Sequence, residues 1–395
     1  MTSSAYDLSE PMRMKHKSAI TQKRARLLAA ALLAAFFAVF ASRAVDAPAA
    51  SDQPIRRAEP FILGADITFL LEDEAAGAEF YDHGVKKDYF QILKDNKFNY
   101  VRVSTIVEPT RNFSRGDLAH IKILAKRAKA AGVGLLVNFF YSDDWASPEN
   151  QPKPAVWTNL AFADMVTALH DHTKAVLTAL KEQGTTPDMV QIGNEITFGM
   201  IWPDGCVTSK ISTGNPQTDA HNAGVTNAGG WGNLAALLKA GISATKEVDP
   251  KIKIMLHHSL ARNDALVHEW INKLLERDVQ FDLVGLSCYT EHATNDWKTT
   301  FDDIATHYPK LGIIAVEYSG QKRFLNDLVF NTPNQKGLGS FIWSPMRERE
   351  PIFDHQAPAS TSTTATNAPP DRGGRYDANA FMELYPQMAK DYGNR

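Results

Sequence analysis

The strongest constraint on the fold is an alternation of short apolar segments with longer segments of helical periodicity. Eight apolar segments are typical of strands, at 61–66, 99–104, 133–140, 189–195, 251–257, 281–287, 312–317 and 339–343. Helical segments follow them, at 86–97, 117–131, 160–183, 231–248, 265–277, 297–308, 324–330 and 376–392. Eight strand–helix units predict an α/β fold, a (β/α)8 TIM barrel that forms a single catalytic domain over residues 61–395.

A doubly wound open sheet is the alternative for such an alternation. A dinucleotide-binding sheet of that kind carries a glycine-rich loop directly after its first strand. The first strand here ends in Gly64-Ala65-Asp66, and no such loop follows it, so the barrel is favoured. Residues 357–375, rich in Ala, Ser, Thr and Pro, interrupt the last unit and predict a flexible loop.

The amino-terminal part of the chain has a different composition. Six Lys and Arg residues between positions 13 and 26 precede an apolar run at 27–41, and small residues follow this run. The run is shorter than the roughly 20 residues that a membrane span needs. This order is typical of an export signal peptide at 1–44 with a linker at 45–60, although an uncleaved anchor is the alternative. We therefore expect a secreted or periplasmic protein with no stable membrane insertion after cleavage.

Charge and cysteine content narrow the classes of partner. Cleavage after Ala44 would remove seven of the 42 Lys and Arg residues and two of the 45 Asp and Glu residues, leaving a net charge of −8. An acidic surface argues against nucleic acid or an anionic membrane as partner, and we expect a monomer. Cys206 and Cys288 could form one disulfide in an exported protein, but sequence alone does not show whether they are close.

Two carboxylates follow apolar strand segments in matching positions. Asn194-Glu195 ends the fourth segment, and Glu317 ends the seventh. Polar residues at the carboxyl ends of barrel strands converge on one mouth, so these two side chains should face each other. One such Glu is more often structural than catalytic. A pair in register suits a double-displacement glycosidase, whose nucleophile and acid/base lie about 5–5.5 Å apart.

The neighbouring strand ends add groups that would separate the two roles. Arg102 or Tyr289 near Glu317 would keep that carboxylate ionised. Partial burial beside this charge would raise the pKa of Glu195 and suit it to act as an acid. Trp343, at the end of the eighth segment, adds an aromatic side chain to the predicted mouth.

Metal and cofactor chemistry receives little support from the sequence. The pair His257-His258 could suggest a metal site. However, barrel metallohydrolases usually carry an H-x-H pair on the first strand, where this chain has Gly64-Ala65-Asp66. Two cysteines are too few for a zinc ribbon, and neither a P-loop nor a G-x-S-x-G elbow is present. We therefore predict no cofactor and no metal.

From about Leu63 to Trp343 the chain resembles glycoside hydrolase family 53, the endo-β-1,4-galactanases of the clan of retaining (β/α)8 hydrolases. The most specific pieces are YSDDWASP at 141–148 and IGNEITFGMIWPDG at 192–205. Further matching pieces are GADITFLLEDEAAG at 64–77, KIMLHH at 253–258, FDLVGLSCY at 281–289 and GLGSFIWSP at 337–345.

The resemblance implies Glu195 as acid/base and Glu317 as nucleophile. It also implies that Asn194 binds the sugar 2-hydroxyl, that Tyr289 orients the nucleophile and that Trp343 floors the subsite of the cleaved sugar. Trp145 and Trp202 match family aromatics near the cleft, and Arg102 matches the arginine of the second strand. The predicted substrate-binding residues are Arg102, Asn194, Trp145, Trp202, His257, Tyr289 and Trp343.

Several positions depart from the family pattern. Ser104 stands where the family usually has a basic residue, and Asn138-Phe139-Phe140-Tyr141 replaces an Asp-Phe-His-Tyr run. Thr290-Glu291-His292 replaces an aromatic run after the sixth strand, and Ser344 replaces a Glu after the eighth-strand Trp. The loop after Glu317 is also short. Some bacterial members bind calcium in that loop, so the truncation predicts no calcium here.

The sequence therefore predicts an exported retaining endo-glycosidase whose partner is a polysaccharide substrate. The resemblance points to β-1,4-galactan, as in arabinogalactan and pectin side chains, or to a related β-linked polysaccharide. One alternative is a carbohydrate-binding protein on a degenerate hydrolase barrel, which the intact Glu195 and Glu317 argue against. The other is a metal-dependent barrel hydrolase, which insensitivity to chelators would dismiss.

Overall fold

A computed structural model describes residues 59–109, 116–225, 228–289, 296–357 and 372–394. Eight parallel strands form a closed barrel in the spatial order β1-β8-β7-β6-β5-β4-β3-β2. Their bounds are Ile62–Asp66 (β1), Tyr100–Thr105 (β2), Gly134–Phe139 (β3), Met189–Ile192 (β4), Lys253–His258 (β5), Leu283–Ser287 (β6), Gly312–Tyr318 (β7) and Gly337–Ile342 (β8). The closed barrel confirms the predicted fold and excludes the open sheet.

The helices lie outside this barrel and cover it. The α-helices span Leu70–Ala75, Tyr89–Asp95, Leu118–Ala131, Phe162–Glu182, Pro216–Gly224, Gly230–Val248, Asp264–Leu275, Trp297–His307, Lys322–Phe330 and Leu384–Asp391. Short 3-10 turns occupy Ala155–Trp157, Ile196–Phe198 and Pro333–Gln335. Local signals set several boundaries. The Asp117 side chain accepts a hydrogen bond from the His120 amide, and Gly132 ends the same helix in the left-handed conformation.

The two largest clusters of buried apolar residues among the described residues form separate layers. The larger layer lies between strands and helices. The smaller one comes entirely from barrel strands and fills the interior: Ile62, Leu136, Met189, Met255, Leu283, Ile314, Val316 and Phe341. Gly64 leaves room for the Phe341 ring, because an added Cβ would lie 2.3 Å from Cδ1 of that ring. An apolar layer therefore fills the barrel interior below the carboxyl ends of the strands, and polar side chains lie above it at these ends.

Two helices are shorter than predicted, because part of each predicted segment belongs to a small sheet outside the barrel. Its four strands have the order Phe353–Gln356, Gly374–Ala378, Ala78–Asp82 and Val85–Lys86. The helix predicted at 86–97 is shortened at both ends to Tyr89–Asp95, because Val85–Lys86 pairs as a strand and Asp88 caps the helix.

The helix predicted at 376–392 is reduced to Leu384–Asp391, because Tyr376 lies in a strand. Tyr376 has the spacing of an apolar helix face, but its ring stacks on His355 of the neighbouring strand at 4.4 Å between centroids. Of the flexible loop predicted at 357–375, Gly374 and Arg375 belong to this strand. Residues 358–371 lie outside the described part of the chain.

The predicted signal peptide at 1–44 and nearly all of the predicted linker at 45–60 lie outside the described residues. Within the residues that the structure describes, no helix has the length and apolar character to cross a membrane. Cys206 and Cys288 are both buried free thiols, so the disulfide considered from the sequence is not formed.

Candidate active site

The carboxyl ends of the barrel strands carry a connected layer of polar side chains. They sit above the apolar interior layer because every second strand residue points inward. All are buried: Asp66, Arg102, Asn138, Gln191, His257, Ser287 and Glu317. Buried polar groups of this kind are stable only when they satisfy one another, so their hydrogen bonds define the site.

Arg102 of β2 lies at the centre of this layer. Its Nη1 is 2.9 Å from Oδ2 of Asp66 and 2.9 Å from Oε1 of Glu317. Its Nη2 donates to Oδ1 of Asn194 at 2.8 Å, and Nε donates to Oε1 of Gln191 at 3.2 Å. The fully buried guanidinium thus binds four side chains from three other strand ends in one plane of donors, which only the rigid fork of arginine can do.

Glu317, at the end of β7, is paired with positive charge. Besides the contact with Arg102, its Oε2 accepts a hydrogen bond from the Tyr289 hydroxyl at 3.4 Å. Burial raises the pKa of Glu317, while the charge and hydrogen bond of Arg102 oppose that effect. The pKa of Glu317 is raised overall, and Arg102 and Tyr289 limit that rise and hold the carboxyl group in one orientation.

Glu195 occupies a strained turn directly after β4. Its φ of 50° and ψ of 47° lie in the left-handed region, which is uncommon for residues with a side chain. Gly193, two residues earlier, has φ 79°, and an added Cβ there would lie 2.6 Å from Cγ2 of Ile196. This Gly-Asn-Glu turn aims the Glu195 side chain at the mouth, where its Oε1 accepts a hydrogen bond from the Ser287 hydroxyl at 2.7 Å.

A relay of hydrogen bonds supports Glu195 from below. The Nδ1 of His257 accepts from the Glu195 amide at 3.2 Å and from Nε2 of Gln191 at 3.1 Å. We therefore assign the proton to Nε2, which lies 2.9 Å from Oγ of Ser287. The 3.3 Å approach of Asn194 Oδ1 to Nδ1 is not a hydrogen bond in this tautomer.

Burial, followed by the charge of Arg102, lowers the pKa of His257 well below its usual range, so the imidazole is neutral. It is also fully buried. The relay therefore runs from His257 through Ser287 to Glu195. His257 lies beneath Glu195 and not at the surface of the cleft. A residue that binds substrate would be expected at that surface.

The two carboxyl groups are close but chemically different. Oxygens of Glu195 and Glu317 lie within 4.8 Å of one another. Burial, then the negative charge of Glu317, raises the pKa of Glu195 well above its usual range. Glu195 has a neutral hydroxyl as its nearby donor, whereas Glu317 has a guanidinium. The arrangement therefore favours the protonated form at Glu195 over that at Glu317, which suits the two groups to different chemical roles.

Glu195, His257 and Glu317 could in principle surround a metal ion, because one ligand atom of each lies within 4.8 Å of the others. Both nitrogens of His257 already have protein partners. The buried positive charge of Arg102 beside Glu317 would also repel a cation. The donor set therefore fits proton transfer better than metal binding.

The predicted aromatic residues fall into two groups. Trp145 and Trp343 lie 5.3 Å apart, and Phe69 stacks on Trp145 at 6.0 Å between centroids. Arg102 lies 5.9 Å from the Trp343 ring, so this aromatic group adjoins the charged centre. Trp202 is on a separate loop, where it stacks on His221 at 5.7 Å and donates from Nε1 to the Phe198 carbonyl at 2.9 Å.

The positions that depart from the family pattern lie mostly beneath the cleft. Asn138 donates to Oγ of Ser104 at 3.1 Å, and both side chains are buried. Phe140 packs edge-on against Trp145 at 5.0 Å, so it supports an aromatic ring instead of offering a polar group. The Thr290-Glu291-His292 run lies outside the described residues.

The loop between β7 and the helix Lys322–Phe330 consists of Ser319, Gly320 and Gln321, as short as the sequence indicates. The absence of calcium there remains a prediction.

Two cavities differ in their relation to the chemistry. One of about 170 Å³ opens beside Glu195, between Glu149, Arg262 and Tyr289. A larger one of about 740 Å³ lies at the opposite end of the barrel, where Tyr100, Met189 and Leu283 begin their strands. Barrel enzymes react at the carboxyl ends of the strands, so the smaller cavity is the relevant one despite its size.

Three residues of the site were not predicted from the sequence: Phe69, Gln191 and Ser287. Gln191 and Ser287 share a signal that could have revealed them. Each is a polar residue at an inward position within two residues of its strand end, among apolar neighbours. Phe69 lies on the connection after β1 and gave no periodic signal.

Comparison with known proteins agrees with this geometry. Residues 62–324 match the profile of glycosyl hydrolase family 53. A Niallia circulans protein named "Uncharacterized protein in bgaB 5'region" is 33% identical over 322 residues, covering 73% of this chain and 84% of its own length. The arabinogalactan endo-beta-1,4-galactanase of Cellvibrio japonicus is 29% identical, covering 71% of this chain and 72% of its own.

Among solved structures, the family 53 catalytic domain of Ignisphaera aggregans superposes with a TM-score of 0.63 at 30% identity. The match covers 72% of this chain and 85% of that domain. The family match therefore spans β1 to β7, including both strand ends that carry Glu195 and Glu317.

Proposed function

The chain belongs to glycosyl hydrolase family 53, and from that premise we propose that it is an exported retaining endo-glycosidase acting on β-1,4-galactan or a related β-linked polysaccharide. The single observation that carries the proposal is the opposed pair of carboxyl groups with oxygens within 4.8 Å. Retaining glycosidases need about 5–5.5 Å between the two groups, whereas inverting enzymes need a wider gap that admits a water molecule.

In the first step, the ionised Glu317 attacks the anomeric carbon and forms a glycosyl–enzyme ester. The C–O bond to the leaving sugar breaks, and Glu195 gives its proton to that oxygen. In the second step, Glu195, now a carboxylate, takes a proton from water as the water attacks the anomeric carbon. The ester bond to Glu317 breaks, and the sugar is released with its original anomeric configuration.

The surrounding residues have separate supporting roles. Arg102 and Tyr289 hold Glu317 ionised and oriented. Ser287 occupies Oε1 of Glu195, which leaves Oε2 to carry the catalytic proton. Asn194 directs one amide hydrogen to the Ala146 carbonyl at 2.9 Å, and its second hydrogen is available for the sugar 2-hydroxyl.

Endo-acting cleavage is supported by two groups of residues near the carboxyl pair. Phe69, Trp145 and Trp343 form an aromatic group of the kind on which sugar rings pack. A separate cavity beside Glu195 offers polar groups from Glu149, Arg262 and Tyr289. An enzyme that binds sugars on both sides of the scissile bond can cut within a chain.

The substrate assignment rests on relatives whose names include galactanase. Ser104, Asn138 and Phe140 replace polar or basic family residues, and lost hydrogen-bonding partners can cost orders of magnitude in discrimination. We therefore expect weak activity on plain β-1,4-galactan or a shifted preference. Rates on unbranched galactan typical of specialised polysaccharidases would show that these replacements are harmless.

The test is a product profile of the purified mature protein on galactans, arabinogalactans, mannans and glucans. NMR of the first products should show the β anomer before mutarotation. Products with the α anomer first would overturn the retaining mechanism. Binding without turnover on every glycan would instead favour a carbohydrate-binding protein. Unchanged turnover after chelator treatment is expected, because the mechanism uses no metal.

Export is tested on the same protein. The order of basic, apolar and small residues before position 45 supports a cleaved signal peptide. Mass spectrometry of the secreted or periplasmic protein should find a mature amino terminus near Ser42 to Ala47. An intact amino terminus in the membrane fraction would show that the segment is retained as an anchor.

A further inference from the structure

A second cluster of ionisable side chains lies on the outer helices. Helix Asp264–Leu275 carries Asp264 and His268 one turn apart, and helix Trp297–His307 carries Asp303 and His307 at the same spacing. Residues at i and i+4 lie on one face of a helix. The two faces meet, because Nδ1 of His268 lies 3.0 Å from Oδ2 of Asp303.

Asp303 sits between the two imidazoles. Its Oδ1 lies 2.7 Å from Nδ1 of His307, and its Oδ2 faces His268. One ligand atom of each of the three side chains lies within 4.8 Å of the others. The Tyr308 hydroxyl, 3.0 Å from Nδ1 of His268, is also 3.0 Å from Oδ1 of Asn272 and can turn its hydrogen to that amide oxygen. Nδ1 of His268 therefore does not depend on Tyr308 as a donor.

Asp264 adds a second carboxyl group beside this cluster. Its Oδ1 is inaccessible to solvent and has no hydrogen-bond partner among the described residues. Burial, followed by the negative charge of Asp303, raises the pKa of its carboxyl group. No Lys or Arg of the described residues forms an ion pair with Asp264 or Asp303. A buried carboxylate oxygen without a donor is costly, and a bound cation would remove that cost.

We propose that His268, Asp303 and His307 bind a divalent transition metal of the zinc class, with Asp264 completing the negative charge around it. Two imidazoles and one or two carboxylates are ligands that zinc prefers, in contrast to the all-oxygen sets of calcium and magnesium. The ligands come from two neighbouring outer helices, those after β5 and β6. The metal would therefore join these helices and stabilise the fold without taking part in glycoside cleavage.

A comparable cluster in the same protein shows what a metal-independent arrangement looks like. His170 lies 2.9 Å from Asp171 and 3.0 Å from Glu247. There, Lys174 pairs with Glu247 at 2.8 Å, so a side chain of the protein already supplies the positive charge. His170 also has no second imidazole in its cluster. It is therefore a matched control for an exposed histidine between carboxylates.

The experiment is calorimetric titration of the chelator-treated full-length mature protein with zinc chloride. Wild type and His170→Ala should bind one zinc with a Kd below about 10 µM, and zinc should raise their Tm by several degrees. The double variant His268→Ala/His307→Ala should lose this binding by at least tenfold and should lose the Tm shift. Its glycosidase rate without zinc should equal that of wild type.

A milder variant keeps the test decisive if the double variant is unstable. Asp303→Asn retains both imidazoles and the side-chain volume but removes the central charge, so zinc affinity should again fall at least tenfold. Equal zinc binding by wild type and Asp303→Asn, or no binding by wild type at 100 µM zinc, would overturn the proposal. Cobalt substitution gives a separate readout, because a His-rich tetrahedral site should show visible absorption that His170→Ala retains and Asp303→Asn loses.

Discussion

The ends of β4 and β7 carry the same residue type in the same position, yet they build opposite environments. Glu317 lies within β7, where the register shifts against both neighbouring strands, and it pairs with the buried Arg102. Glu195 leaves the strand through a left-handed turn and has the neutral Ser287 hydroxyl as its donor. One carboxyl group is held by charge, and the other is held by a neutral relay that ends in His257.

This difference shows how the barrel could divide two chemical roles between identical side chains. Both groups are desolvated, which by itself would raise both pKa values. The guanidinium opposes the rise more strongly at Glu317, since it touches that carboxylate directly. Ionising Glu317 then raises the pKa of Glu195 further through the negative charge. In the proposed mechanism, the position of one arginine therefore decides which carboxyl group acts as nucleophile and which as acid.

The largest expected effect tests the β7 end. Glu317→Gln keeps the size of the side chain but removes the nucleophile. We expect kcat on any cleaved polysaccharide to fall by at least about 10³-fold, with folding retained. The measurement is steady-state turnover together with a thermal unfolding curve. More than a tenth of wild-type kcat in a folded variant would contradict the assignment.

The next effect tests the β4 end by varying the leaving group. Glu195→Ala should reduce polysaccharide cleavage by about 10²–10⁴-fold, because a sugar oxygen needs protonation as its bond breaks. A nitrophenyl glycoside that fits the site needs little protonation, so formation of the glycosyl–enzyme should be nearly normal. Its hydrolysis should then stall, since the base that activates water is missing.

Azide separates a catalytic loss in Glu195→Ala from a structural one. Azide needs no deprotonation and fits the space left by the side chain, so it should restore turnover and yield a β-glycosyl azide. Equal losses on good and poor leaving groups, without azide rescue, would identify Glu195 as a structural strand end.

A smaller effect is expected in the pH profile of kcat/KM when either of the two hydrogen-bond donors, Tyr289 or Ser287, is removed. Tyr289→Phe removes a donor to ionised Glu317, so the pKa of Glu317 rises and the acidic limb moves to higher pH. Ser287→Ala removes a donor that lowers the pKa of Glu195, so the basic limb moves to higher pH. Each shift should be within about one pH unit. If Tyr289→Phe moved the basic limb, or Ser287→Ala the acidic one, the two roles would be exchanged.

The smallest effect concerns stability. Burial holds the pKa of Glu195 well above its usual 4.5, so the unfolded state ionises first as pH rises, and wild type loses stability above pH 4.5. Glu195→Gln should therefore raise Tm by about 2 °C or more at pH 7, and this gain should vanish below pH 4. Glu317→Gln should show a smaller gain, because Arg102 opposes the rise in the pKa of Glu317 and the variant leaves Arg102 with one carboxylate fewer. Calorimetry of the three proteins at both pH values tests the contrast.

The sequence determined the architecture and indicated which two carboxyl groups meet at the mouth of the barrel. The hydrophobic periods of strands and helices are local features of the sequence, so the strands were placed within a few residues. A closed parallel barrel is the arrangement that buries eight such units. Glu195 and Glu317 could be paired because parallel strands end at the same mouth. The prediction failed at Tyr376, whose spacing is helical but whose ring packs in a strand against His355.

Only the tertiary structure decided how the two carboxyl groups differ. Arg102 and Glu317, or Ser287 and Glu195, are separated by many residues and meet only when the barrel closes. The same is true of His257, whose ring lies under the acid, and of the His268 and Asp303 pair on the outer helices. A pKa depends on burial and charge within a few ångströms in space. The sequence shows which groups can titrate. Their order of titration depends on the burial and the neighbouring charges that only the folded barrel creates.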